Sequence, residues 1–200
     1  MLDYLESIPQ TVYTLAVRLA FCFCMRIGEL RALEWSDYDA ENQKMHIWKQ
    51  VVAVKKNGRK RSDELVYHTK SNCPEGERYV YVSDEATQVL KELREINGEK
   101  QFILNGINGA QFAISENGFN EHLREFCTAA GVKYYSSHKI RFYGCTELLD
   151  AGVPARTVQK IMGHKYASTT EHYDRSKKKD KVDEGIWNDV FGSGLRGSTR

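Results

Sequence analysis

Arg26-Ile27-Gly28-Glu29-Leu30-Arg31-Ala32-Leu33-Glu34-Trp35-Ser36-Asp37 is the stretch on which the fold turns. Leading into it, Val12, Leu15 and Leu19, then Met25, Leu30 and Leu33, recur at helical spacing and break near Ile27-Gly28. That pattern predicts two helices joined by a tight turn, with Arg26 at the junction. Beyond Asp37, His46 to Val54 is rich in β-branched and apolar residues, Asn57-Gly58 is a hairpin turn, and Glu64 to Thr69 returns as a second strand. Tyr79 to Val82 follows the Pro74-Glu75-Gly76 turn as a third strand, completing a small antiparallel meander. Helical patterns then continue: Asp84 to Ile96 with Asp84 as N-cap, Ser115 to Ala130, Ser137 to Ala151, Pro154 to Met162 ending at Gly163, and Ser168 onward. The fold class is therefore α+β, mainly α, with a small three-stranded antiparallel sheet.

The composition is that of one ordinary globular domain: 200 residues, 41% hydrophobic and 28% charged. A formal charge of +2 neither announces nor excludes a nucleic-acid partner, because a chain-wide sum hides local basic surfaces. Five cysteines (Cys22, Cys24, Cys73, Cys127, Cys145) form no CxxC pattern and sit mostly among apolar neighbours, which points to a reducing, cytoplasmic setting. The most apolar run, Thr11 to Met25, is interrupted by Arg18 and is too short to span a bilayer. The segment 192–200 is small and polar without an apolar face, and is read as a disordered or added tail.

Three pieces can carry chemistry: Arg26 with Glu29, His138-Lys139-Ile140-Arg141, and Gly163-His164 followed by Tyr173. Each alone has a plainer reading. Either arginine can be a surface ion-pairing residue, His164 a C-terminal helix cap, Tyr173 a packing residue, and Glu29 a surface charge. His138 and Arg141, three apart near a helix N-terminus, form a corner that suits a phosphate.

Taken as a set, these residues resemble the tyrosine recombinases of the phage and transposon integrase type. The stretch Arg26 to Asp37 is similar to the family's first signature box, His138-Lys139-Ile140-Arg141 to its HxxR box, and Met162-Gly163-His164 through Tyr173 to its closing segment. The resemblance covers roughly Val12 to Tyr173. It implies that Arg26 and Arg141 bind the scissile phosphate, that His164 adds a hydrogen bond to it, and that His138 orients or deprotonates the nucleophile Tyr173. The family's catalytic lysine on a hairpin corresponds to Lys70, in His68-Thr69-Lys70-Ser71, as general acid for the departing 5′ hydroxyl. Lys55, Lys56, Lys60 and Arg61 are rivals for that role and read better as a fingertip on the DNA backbone. Glu29 would hold the arginines or histidines in place.

The chemistry accounts for these residue types. Transfer at a phosphodiester loads negative charge on the phosphoryl oxygens, and guanidiniums grip two oxygens at once while staying charged. The bond energy is kept in a 3′-phosphotyrosine, so the resemblance implies a DNA strand transferase that uses no cofactor, metal or nucleotide triphosphate. It also implies duplex DNA as partner and a homotetramer on two duplexes, with Ile186, Trp187, Val190 and Phe191 docking on a neighbouring protomer or folding back in cis. Residues 1–191 are read as the catalytic domain, from a bacterial or phage-encoded protein, lacking the family's clamp and arm-binding domains. The rival readings are a type IB topoisomerase-like strand transferase, a non-catalytic DNA-binding module of the same fold, and a zinc protein built on Cys22, Cys24 and the histidines. The compact spacing of the boxes, the complete residue set and the absence of standard zinc-site spacing weigh against them in turn.

Overall fold

A computed structural model describes residues 1–55, 61–69, 76–98, 100–105 and 114–171. In chain order these are α1 (Leu2–Ser7), α2 (Val12–Phe23), α3 (Ile27–Arg31), a short 3₁₀ turn (Trp35–Asp37), β1 (Tyr38–Asp39), β2 (Lys44–Ile47), β3 (Gln50–Lys55), β4 (Arg61–Val66), β5 (Arg78–Tyr81), α4 (Asp84–Asn97), α5 (Glu116–Ala129), α6 (Ser137–Asp150), α7 (Ala155–Met162) and α8 (Ala167–Glu171).

Helix α2 is central because its sequence is apolar nearly all round. Leu15, Ala16, Val17 and Leu19 are buried, and α4, α5 and α6 pack around the helix with Val89, Leu93, Phe119, Leu123 and Ile140. Each such large side chain contributes about 1.5–3 kcal/mol on burial, so this helix anchors the fold. Arg18, the charge within the apolar run, is buried and answered from α4 by Glu85 at 2.6 Å and Glu92 at 3.3 Å. The N-cap of α2 is Thr11, whose hydroxyl accepts from the Thr14 backbone N–H at 3.2 Å.

The small sheet differs from the expected meander. Its three strands run β1-β2-β5, with Met45 opposite Val80 on the buried face and His46 stacked on Tyr79 on the outer face. Strands β3 and β4 form a separate antiparallel hairpin in register from Gln50↔Val66 to Lys55↔Arg61. The predicted first strand is thus split at Trp48-Lys49. The cause is local: Lys49 is buried, its ammonium lies 2.8 Å from Asp37 and 3.2 Å from Glu34, and the Trp48 indole N–H donates to Asp37 at 2.9 Å. Two consecutive side chains drawn toward the 3₁₀ turn cannot alternate across a sheet, and the ladder ends there.

Helix boundaries shift by a residue or two. The break after α2 falls at Cys24, held in the left-handed region at φ 47°, and Arg26 is the N-cap of α3. Ser83, not Asp84, caps α4, its hydroxyl accepting from the Ala86 N–H at 3.2 Å. Among the described residues no helix is long and apolar enough to cross a membrane.

Candidate active site

The site gathers on the C-terminal end of α7. The last carbonyls of a helix have no partner within it and carry its negative pole. Here three successive carbonyls accept from three arginines that arrive on different elements. The Ile161 carbonyl accepts from Arg78 Nε at 2.7 Å, that of Met162 from Arg141 Nη2, and that of Gly163 from Arg26 Nη2 at 3.2 Å. Gly163 ends the helix in the left-handed conformation at φ 62°, which glycine adopts without a Cβ penalty. A Cβ at that position would lie 2.8 Å from Arg78 Nη1.

Glu29 sits at the centre with 0% exposure. Its Oε1 accepts from Arg26 Nη1 at 2.7 Å and its Oε2 from Arg78 Nη2 at 2.8 Å, while Oε2 also takes the Arg26 backbone N–H at 3.2 Å. Burial by itself would raise the Glu29 carboxyl, but Arg78 and then Arg26 and Arg141 outweigh it and hold the group below its ordinary value. Arg141, 4% exposed, is also within 3.4 Å of the Cys24 carbonyl. Burial, followed by repulsion from Arg26, pushes it down to about 10. It stays protonated at neutral pH, and its charge is one that a bound anion would relieve.

His164 follows the helix end and is buried. Its backbone N–H donates to the Gln159 carbonyl at 3.0 Å, so the residue takes part in the helix cap. Its Nδ1 lies 3.0 Å from the hydroxyl of Thr170 on α8, a buried contact that ties α8 to the arginine cluster. Burial, then Arg141, Arg26 and Arg78, push the imidazole down to about 4, so it is neutral at physiological pH.

The structure therefore brings Arg26, Glu29, Arg141 and His164 together from α3, α6 and the α7 terminus. His138 lies on the same helix as Arg141, one turn earlier, but is exposed where Arg141 is buried. The two share a helix but not the depth that a common face suggested. Lys70, Tyr173, Lys56 and Lys60 lie outside the described residues, as do Ile186, Trp187, Val190, Phe191 and the tail 192–200. Lys55 is the last residue of β3 and Arg61 the first of β4, and the two are paired in the ladder.

Two members of the site escaped the sequence reading. Arg78 carried a usable signal, since it is in phase with Val80 on the buried face of β5, where a charge calls for a partner. Thr170 carried none. Burial pushes the thiols of Cys22, Cys24 and Cys145 up to about 12, 11 and 11, so these three stay protonated at neutral pH. Among the described residues no group of three metal-ligating side chains is present, which leaves the zinc reading without a site there.

Comparison with known proteins supplies context for this geometry. Residues 1–180 match the profile described as the phage integrase family. The chain is similar to a XerC-like tyrosine recombinase of Caldanaerobacter subterraneus subsp. tengcongensis, 28% identical over 169 residues, spanning 76% of this chain and 42% of that protein. It is also similar to the tyrosine recombinase XerC of Staphylococcus haemolyticus, 30% identical over 159 residues and covering 78% and 46%. The transposase from transposon Tn916 of Enterococcus faecalis is 28% identical, covering 74% and 38%. The chain thus spans less than half the length of these relatives. In fold it resembles the Tn1549 transposon integrase solved with circular intermediate DNA, with a TM-score of 0.69 at 19% identity over 90% of this chain and 64% of that one. The XerA recombinase aligns with a TM-score of 0.64 at 16% identity, over 98% and 61%.

Proposed function

Because the chain belongs to the phage integrase family, we propose that it is the catalytic part of a site-specific DNA recombinase that cleaves and rejoins strands through a tyrosine. The observation that carries this reading is the buried arginine assembly on the α7 terminus, in which three guanidiniums meet one carboxylate and leave a positive excess. A singly charged phosphodiester fits such an excess.

In the proposed reaction the Tyr173 hydroxyl oxygen attacks the scissile phosphorus, a bond to the tyrosine forms, and the bond to the 5′ oxygen breaks. Tyrosine ionises near pH 10 in water, so its proton must leave during attack, with His138 as acceptor or orienting group. Lys70 gives a proton to the departing 5′ oxygen. Arg26, whose side chain keeps 22% of its exposure, and Arg141 hold the non-bridging oxygens. His164, neutral at pH 7, adds a hydrogen bond without adding charge. Lys55, Lys56, Lys60 and Arg61 track the DNA backbone. The resulting 3′-phosphotyrosine is reopened by the 5′ hydroxyl of another strand, which restores Tyr173. The assembly that exchanges strands is a homotetramer on two duplexes, with the segment after Tyr173 docking in trans.

The test is to incubate the protein and its Tyr173→Phe variant, with a chelator present, with nicked duplexes taken from DNA flanking its gene. An SDS-resistant adduct with wild type alone is the expected result. Adduct with both proteins would move the nucleophile elsewhere. Adduct with neither, on a verified site and with any missing domains restored, would leave a non-catalytic DNA-binding module.

A further inference from the structure

Resting on that strand-transfer reading, we propose that Arg78 is a positioning residue of the phosphate clamp: it takes up the charge of Glu29 so that Arg26 and Arg141 keep theirs for a phosphodiester. Arg78 also moors the sheet to the last turn of α7.

The argument starts from how Glu29 is shared. Arg26 holds Oε1 at 2.7 Å, while Arg78 reaches both oxygens, Oε2 at 2.8 Å and, more weakly, Oε1 at 3.5 Å, so Arg78 takes a full share of the Glu29 charge. If Arg78 were absent, Glu29 would remain buried with Arg26 as the partner its geometry already reaches. An isolated buried carboxylate is costly, so that pair would close tightly, and the charge of Arg26 would be spent on Glu29 and not on DNA. With Arg78 present, Glu29 is answered and the cluster stays positive.

Arg78 acts through others because each of its three side-chain nitrogens already donates within the protein, Nη2 to Glu29 at 2.8 Å. Its remaining donors are committed to backbone: Nε to the Ile161 carbonyl at 2.7 Å and Nη1 to that of Gly76 at 2.9 Å. The first of these bonds fixes the α7 terminus that also receives Arg141 and Arg26. The second reaches Gly76, where a Cβ would run into the Thr69 side chain, so the two stems that flank residues 70–75 are held against each other beside the cluster. Lysine could supply the charge but not the three-way fork.

The experiment compares single-turnover adduct formation by wild type, Arg78→Met, Arg78→Lys and the double variant Arg78→Met with Glu29→Gln. Arg78→Met is expected to slow the step about a hundredfold, the scale of a misplaced clamp. Removing the Glu29 charge in the same chain is expected to recover about tenfold of that loss, because Arg26 is released; a purely architectural role gives no such recovery. Arg78→Lys should fall between. On a duplex with a methylphosphonate at the scissile position, which lacks the phosphate charge, the deficits of Arg78→Met and Arg78→Lys should shrink. Arg78→Met as fast as wild type, or a double variant no faster than the single, would overturn the inference while leaving the strand-transfer reading intact. Should Arg78→Met lose its cooperative unfolding transition, Arg78→Lys decides, and an equal deficit on both linkages rules the inference out. Wild type forming no adduct on a verified site, with any further domains of the parent protein present, removes the parent reading and this one with it.

Discussion

His164 concentrates the electrostatics of the site in one side chain. In the unfolded chain it takes a proton near pH 6.5, whereas in the fold burial and the arginines delay that to about 4. Between those values the unfolded state binds more protons, so stability is full above pH 6.5 and falls as the pH drops toward 4. A shift of that size corresponds to about 3 kcal/mol. Urea titrations from pH 7 to pH 4 should show this loss, and His164→Gln should flatten it. An unchanged slope in the variant would mean that another group titrates there. Glu29 acts lower on the scale: its depressed carboxyl contributes stability that is lost only as the pH falls through its folded value.

At the scale of elements, the short helix α3 decides where Arg26 and Glu29 stand. Its first turn lies against β3 so closely that a Cβ on Gly28 would meet the Val51 backbone carbonyl at 2.7 Å. Its other end is held by Arg31, fully buried, which pairs with Asp63 on β4 and donates from Nε to the Ile114 carbonyl at 2.7 Å. Helix propensity favours alanine over glycine by up to about 1 kcal/mol, while forced overpacking costs about 1–3 kcal/mol. The backbone carbonyl of β3 cannot swing aside as a side chain could, so overpacking wins. Gly28→Ala is expected to lower the unfolding free energy by about 1 kcal/mol and to slow adduct formation, and a stabilised variant would contradict this.

For the whole molecule, the question is how DNA meets a chain of such mild net charge. The basic residues Lys55, Lys56, Lys60 and Arg61 fall within one seven-residue stretch of the sequence, whereas Arg78 and Arg141 are buried. If the hairpin contacts phosphates, each contact releases a counterion. Replacing all four by alanine should then reduce the slope of log affinity against log salt by about 3.6, with binding weakened alike on all sequences. An unchanged slope would place the DNA elsewhere on the surface.

The sequence by itself determined the class of fold, the order of helices α2 to α8 and the junction at Arg26, because apolar periodicity and glycine breaks are local signals that survive in one dimension, whereas the short α1 (Leu2–Ser7) went unread. It also marked Arg26, Glu29, Arg141 and His164 through their spacing and family resemblance. Only the tertiary structure decided that the strands split into a three-stranded sheet and a separate hairpin. Ion pairs of Lys49 with Asp37 and Glu34 reach back along the chain, and no alternation pattern encodes them. It alone also decided that Arg78 and Thr170 belong to the site and that His138 stands at an exposed position while Arg141 is buried. The α7 carbonyls at 161–163 draw arginines from positions 26, 78 and 141, and such a convergence exists only once the chain has closed on itself.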